Sequence, residues 1–311
     1  MDFRRLGDSG LVVSVAGLGT NNFGMKLDME GTREVIHAAL DEGVTLFDTS
    51  DSYGASEQRI GEVLRGRRDD LVLATKFGSD TRRRGNDNGE DWGARGSRRY
   101  IIRAVESSLR RLQTDWIDLY QLHRPDPATP IEETLSALDD LVHSGKVRYV
   151  GSSNFTGWQV ADAEWTARTR RVERFVSAQN RYNLLQREIE ADLVPALERY
   201  HIGLLPYFPL ANGLLTGKYR RGEAPPEGSR LYGRESMLTD ATFDVLDKLE
   251  AYAAERGVTL LDVALGGLAA QPTVASVIAG ATSREQVVNN VAATRWTPTQ
   301  ADLAALSDIT S

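Results

Sequence analysis

The chain has 311 residues, 41% hydrophobic and 26% charged, so it can bury a large core and is too apolar for a disordered or fibrous protein. Its 44 acidic against 37 basic residues leave a formal charge of −7, which provides no footprint for nucleic acid or a membrane surface and points to small-molecule partners. The absence of cysteine excludes disulfide scaffolds, iron–sulfur clusters and thiol nucleophiles; no signal peptide or run of ~18 apolar residues is apparent, so a cytoplasmic protein is expected.

Residues 4–13 read as a hairpin around the turn Gly7, Asp8, Ser9, Gly10. Short apolar, β-branched runs then alternate with segments of helical period, with strands expected at 15–20, 45–48, 71–76, 116–123, 148–151, 175–179, 202–207 and 274–280. Ser56 is placed to cap a helix bearing Ile60, Val63 and Leu64, and Ser97 one bearing Ile101, Val105, Leu109 and Leu112. Thr129, Pro130 and Glu132 combine a capping box with proline at the first helical position, ahead of a stripe of Leu135, Leu138, Leu141 and Val142. Thr156 with Gln159, and Ser283 with Gln286, have capping-box spacing as well.

About eight strand–helix units with no break in composition favour an α/β fold made of one (β/α)8 TIM barrel over residues 1–311, its bottom plugged by the hairpin. The long stretches 78–96 and 210–238 each follow a strand, so both should lie over the C-terminal mouth, where barrels keep their active sites.

Strand position selects the chemistry. Asp48, Lys76 and His123 end the second, third and fourth strands, and Tyr53 follows the second within a short loop. An ammonium held by a carboxylate beside a phenol favours phenolate, so Lys76 with Asp48 is expected to lower the pKa of Tyr53 and make it a usable proton donor. His123, the only one of four histidines at a strand's C-terminal end, can orient a carbonyl. The same Lys76 and Asp48 could instead form a structural ion pair, or Lys76 a Schiff base in a barrel aldolase.

Residues 43–57, 116–126 and 145–155 resemble signature stretches of the aldo-keto reductases, nearer to bacterial members and potassium-channel β subunits than to mammalian aldose reductase. The resemblance implies a TIM barrel that reduces aldehydes or ketones with NADP(H), bound in extended form, on a tetrad of Asp48, Tyr53, Lys76 and His123. It implies that Ser153, Asn154 and Gln179 hold the nicotinamide amide and that Tyr207 stacks on the ring, with Phe208 standing where serine is usual. It further assigns cofactor contacts to Gly19, Thr20, Asn21, Pro209, Leu210 and Gly213, and to an adenosine-phosphate site comprising Gly280, Thr282, Ser283, Arg284, Gln286, Asn289 and Asn290. A helix N-terminus beside glycine suits an anion there, and a guanidinium at Arg284 suits the 2′-phosphate of NADPH. Phe23, Trp92 and the two long loops are expected to shape the pocket for a small-molecule carbonyl substrate.

Other motifs fail. Residues 17–22 lack the third glycine of a dinucleotide fingerprint, 213–219 has the wrong spacing for a P-loop, and no metal pattern occurs. Arg82, Arg83 and Arg84 read as a solvated loop face. A rival to the enzyme is a regulatory binding module that senses its cofactor and turns over slowly.

Overall fold

Period-two alternation in short, doubly covered strands generates the architecture of this protein, whose computed structural model describes residues 1–79 and 93–310. The hairpin is β1 (Phe3–Arg5) with β2 (Val12–Ser14), followed by β3 (Ala16–Gly19), β4 (Leu46–Asp48), β5 (Val72–Phe77), β6 (Ile117–Leu122), β7 (Val147–Ser153), β8 (Ser177–Gln179), β9 (Gly203–Leu204) and β10 (Val277–Gly280). From β3 onward every strand is parallel to its neighbour, and β10 returns to pair with β3. Leu204 N donates to Thr273 O at 2.7 Å and Ile278 N to Pro206 O at 3.0 Å, which joins β9 to β10 and closes the TIM barrel.

The helices are α1 (Met29–Asp41), α2 (Ser56–Val63), α3 (Arg98–Leu112), α4 (Ile131–His143), α5 (Gly157–Arg170), α6 (Leu193–Tyr200), α7 (Asp240–Glu255), α8 (Leu260–Ala269), α9 (Arg284–Ala293) and α10 (Gln300–Ile309). Phe47, Leu73, Tyr120, Val150 and Ala178 face outward into the apolar layer beneath these helices. Leu46, Ala74, Leu119, Leu205 and Ile278 fill the barrel interior, sealed from below by Leu6 and Val13 of the hairpin. Asp8 N donates to His201 O at 2.8 Å and seats the hairpin on that end.

The same alternation places Asp48 two residues beyond Leu46, Lys76 two beyond Ala74, and Gln121 two beyond Leu119. Ala74 pairs with both Asp48 and Leu119, and Lys76 pairs with Gln121, so a polar layer sits directly above an apolar one at the C-terminal end.

The expected caps form at some helices and give way to other bonds elsewhere. Ser97 accepts from Tyr100 N, and Thr156 with Gln159 forms its capping box. Thr129 does not cap α4, because its hydroxyl donates to Asp126 at 2.8 Å and Pro130 takes the N-cap position. Ser56 lies inside α2 and gives its hydroxyl to Thr20, a buried tertiary bond that outweighs a cap. Only two residues of the expected strand at 202–207 are regular, and the crossover from β9 to β10 carries both α7 and α8. No helix among the described residues is long and apolar enough to cross a membrane.

A buried charge ties α2 and α3 to β5. Glu57 is fully buried and accepts from Thr75 Oγ1 at 2.6 Å and from Arg111 Nε at 2.7 Å. Removing one partner leaves an uncompensated carboxylate, so Arg111→Met should lower the free energy of unfolding by about 3–5 kcal/mol. Adding Glu57→Gln should recover part of that loss, both read from denaturant unfolding.

Candidate active site

The polar layer is wired around Asp48. Its Oδ2 accepts from Lys76 Nζ at 2.6 Å, while Oδ1 accepts from Gln179 Nε2 at 2.8 Å and Gln121 Nε2 at 3.2 Å. Lys76 is fully buried and also donates to Thr49 O at 2.7 Å, with Tyr53 beside it. An ammonium held on these sides beneath the cleft floor is not presented to a substrate carbonyl, which removes the Schiff-base alternative. The Tyr53 ring lies 5.0 Å from Lys76 Nζ and meets His123 edge-on, with centroids 5.9 Å apart. Ser50 Oγ stands 3.1 Å from His123 Nδ1 and steadies that ring.

Backbone contact places Tyr53. A Cβ on Gly24 would lie 1.9 Å from Tyr53 O, so only glycine lets the loop after β3 pack against the loop after β4. Thr49 donates to Ser56 Oγ, and Thr20 to Asp48 O at 2.9 Å, which laces the same loops together with hydroxyls.

Burial pushes the Tyr53 phenol above its ordinary value of 10.0; the Lys76 ammonium pulls the other way without reversing it, and the Asp48 charge adds to the rise. The lowered pKa expected from the sequence is thus corrected: the cation is present, but desolvation of the phenolate is the larger effect. For Lys76, burial works against the charged form, yet Asp48 and Tyr53 together hold its pKa above the ordinary lysine value. The resting state is a protonated phenol beside a protonated amine.

A cleft of about 960 Å³ runs from Asp48, Tyr53 and His123 past Ser153, Asn154, Gln179 and Tyr207 to the start of α9. Gly19, Thr20, Asn21, Pro209, Leu210, Gly213, Gly280, Thr282, Gln286, Asn289 and Asn290 also line it. Three expected cofactor or substrate contacts do not. Phe23 is fully buried in the apolar layer between barrel and helices. Ser283 turns its hydroxyl inward to cap α9, accepting from Gln286 N at 3.3 Å. Arg284 points away to Asp41 on α1, where the two charges pair at 2.6 Å. Trp92 and Arg82 to Arg84 lie outside the described residues.

The cleft fits an extended nicotinamide dinucleotide. Tyr207 is held by its hydroxyl, which donates to Asn154 Oδ1 at 2.6 Å, and Asn154 Nδ2 donates to His123 O at 2.9 Å. Gln179 spends its Nε2 on Asp48, while its Oε1 takes no hydrogen bond among the described residues and is left as an acceptor for a carboxamide. Ser229 Oγ, on the cleft wall, is buried and unpartnered.

A sequence profile of the Aldo/keto reductase family matches residues 16–310. The chain belongs to the aldo/keto reductase family. That family consists of oxidoreductases that generally use nicotinamide cofactors. The chain is 37% identical to uncharacterized oxidoreductase YrpG of Bacillus subtilis (strain 168), over 99% of this chain and 96% of that one. It is 34% identical to L-glyceraldehyde 3-phosphate reductase of Escherichia coli (strain K12), covering 94% of this chain and 87% of the relative. It is also 34% identical to a probable voltage-gated potassium channel subunit beta of Oryza sativa subsp. japonica, covering 94% and 91%.

Several site residues escaped the sequence reading. Gln121 had a usable signal, since it pairs with Lys76 and shares its inward phase. Lys26, Lys218 and Arg230 also line the cleft, but from irregular loops in which no periodicity says where a side chain points.

Proposed function

We propose that this member of the aldo/keto reductases is an NADP(H)-dependent reductase of small aldehydes or ketones. The observation that carries the reading is the buried Lys76 ammonium, bonded to Asp48 and set 5.0 Å from the centre of the Tyr53 ring, directly below the cleft that His123 lines. When bound, the reduced nicotinamide supplies the hydride that adds to the carbonyl carbon. Tyr53 gives its phenolic proton to the carbonyl oxygen, and Lys76 stabilises the phenolate left behind. Asp48 keeps Lys76 charged, while His123 orients the carbonyl. Gln179, Ser153 and Asn154 orient the carboxamide, and Tyr207 offers its ring as a stacking face.

The preference for NADP(H) rests on charge. Lys26, Lys218 and Arg230 approach the cleft from two loops that meet where Lys26 Nζ donates to Gly228 O and Arg230 to Asn22 Oδ1, both at 3.4 Å. Three cations exceed what a pyrophosphate alone requires and suit an additional 2′-phosphate. A second reading, a regulatory module that senses its cofactor, draws on the likeness to proteins named as potassium-channel β subunits. Turnover separates the two: a carbonyl panel with NADPH should show multiple-turnover oxidation of the cofactor in an enzyme.

Tyr53→Phe should lower kcat for carbonyl reduction by roughly 10²–10⁴ and leave NADPH affinity nearly intact, measured by cofactor fluorescence. Near-native turnover would remove Tyr53 from the proton transfer.

The pH dependence follows from the raised phenol. Reduction requires protonated Tyr53, so kcat should show no alkaline loss from this group below its ordinary value of 10.0. Alcohol oxidation requires the phenolate and should rise with pH through a limb above that value. Lys76→Met removes the cation that favours phenolate and should shift the limb upward.

Arg230→Ala should weaken NADPH binding by about 1.5–3 kcal/mol and NADH binding by less, the range for a hydrogen bond to a charged group. Arg284→Ala, which breaks an exposed pair with Asp41 instead, should change neither affinity appreciably, as titration calorimetry can show.

A further inference from the structure

The described lining of the cleft contains the cations Lys26, Arg124, Arg181, Lys218 and Arg230 and a single carboxylate, Asp48, which Lys76 already neutralises. In a chain of net charge −7, this local excess is a property of the site rather than of composition. Lys26, Lys218 and Arg230 are accounted for by the phosphates of the cofactor proposed above. Arg124 and Arg181 are not.

These two arginines stand at the reactive end. Arg124 directly follows His123 after β6, and Arg181 lies two residues beyond Gln179, paired through its backbone with Tyr207. The end of β7, with Asn154, lies between them, so their backbones are two strand spacings apart, roughly 10 Å, a gap that long side chains can close on one anionic group. Neither guanidinium has a carboxylate partner among the described residues, and that of Arg181 rests 5.8 Å from the centre of the Phe208 ring.

Phe208 is itself unusual. Its φ of 53° is in the left-handed region that aromatic residues rarely occupy, and Asn183 Nδ2 holds its carbonyl at 3.0 Å. The strained backbone presents the ring to Arg181 and to Arg230, whose guanidinium is 5.3 Å away. Stacking on an aromatic face keeps a guanidinium ordered while leaving its N–H edge free for an oxyanion.

We propose that Arg124 and Arg181 form an anion subsite that selects carbonyl substrates carrying a phosphate or carboxylate group away from the reacting carbon. The proposal rests on the reductase reading. Lys76 and Tyr53 act on the carbonyl oxygen, while the two arginines fix the far end of the molecule and so the angle at which the carbonyl meets Tyr53.

The test compares matched substrates with NADPH: glyceraldehyde against glyceraldehyde 3-phosphate, and butanal against succinic semialdehyde. The expected result is a higher kcat/KM for the charged member of at least one pair, reduced by added salt; the pair with the larger ratio identifies the head group. Arg124→Gln and Arg181→Gln should each lower that ratio by roughly 10- to 100-fold, and Arg→Lys at the same positions should restore part of it. Cofactor dissociation constants, measured alongside, should stay within about twofold of wild type, since the site binds substrate rather than cofactor. Equal kcat/KM for charged and neutral partners would overturn the subsite and leave the reductase standing. Weakened NADPH binding with an unchanged ratio would reassign the arginines to the cofactor and also overturn it. Failure to reduce any of the four carbonyls would refute the reductase reading, and the subsite with it.

Discussion

A buried ammonium must be surrounded by acceptors, and much of the candidate site follows from how this barrel meets that demand. Lys76 bonds to Asp48 and Thr49 and lies beside Tyr53, three groups delivered by β4 and the loop that leaves it. Asp48 in turn needs donors on its other oxygen, and Gln121 and Gln179 supply them from β6 and β8. One charge on β5 thus recruits side chains from three other strands. Parting any of them would strand a desolvated group at a cost of several kcal/mol, so the network is stiff wherever the chemistry needs precision.

The arrangement also explains why the phenol is an acid rather than a standing phenolate. Depth and charge act on Tyr53 in opposite senses, and depth prevails. In the proposed reduction, a phenol that favours its protonated form through neutral pH regains its proton from solvent readily after each transfer. On that reading, the ammonium would matter most after transfer, when a negative charge has appeared beside it.

The barrel and the placement of Asp48 and Lys76 at its mouth were legible because both depend on short-range rules, which Gln121 obeys as well. Alternation in β4, β5 and β6 puts Asp48, Lys76 and Gln121 on the inner face, and position at a strand end puts them at the mouth. What resisted reading depends on distance through space. Arg284 looked like a phosphate ligand until Asp41, 243 residues earlier, proved to hold it. Ser56 looked like a cap, but Thr20 offered a better partner. Phe23 and the balance at Tyr53 failed for one reason: depth of burial is set by the whole fold and leaves no local mark.

The contact between Gly24 and Tyr53 divides the rim of the barrel into two kinds of territory. Where two backbones touch without room for a methyl group, neither loop can lengthen, shorten or tilt alone. The turns after β3 and β4 therefore behave as a single casting, with Tyr53, the proposed acid, set in it. The connection at 210–238 reaches the cleft through Lys218 and Arg230, and change there leaves the backbone contact between Gly24 and Tyr53 in place. A designer seeking a new substrate would do well to graft there and leave the casting untouched, since a single inserted residue beside Gly24 would move the acid along with the wall.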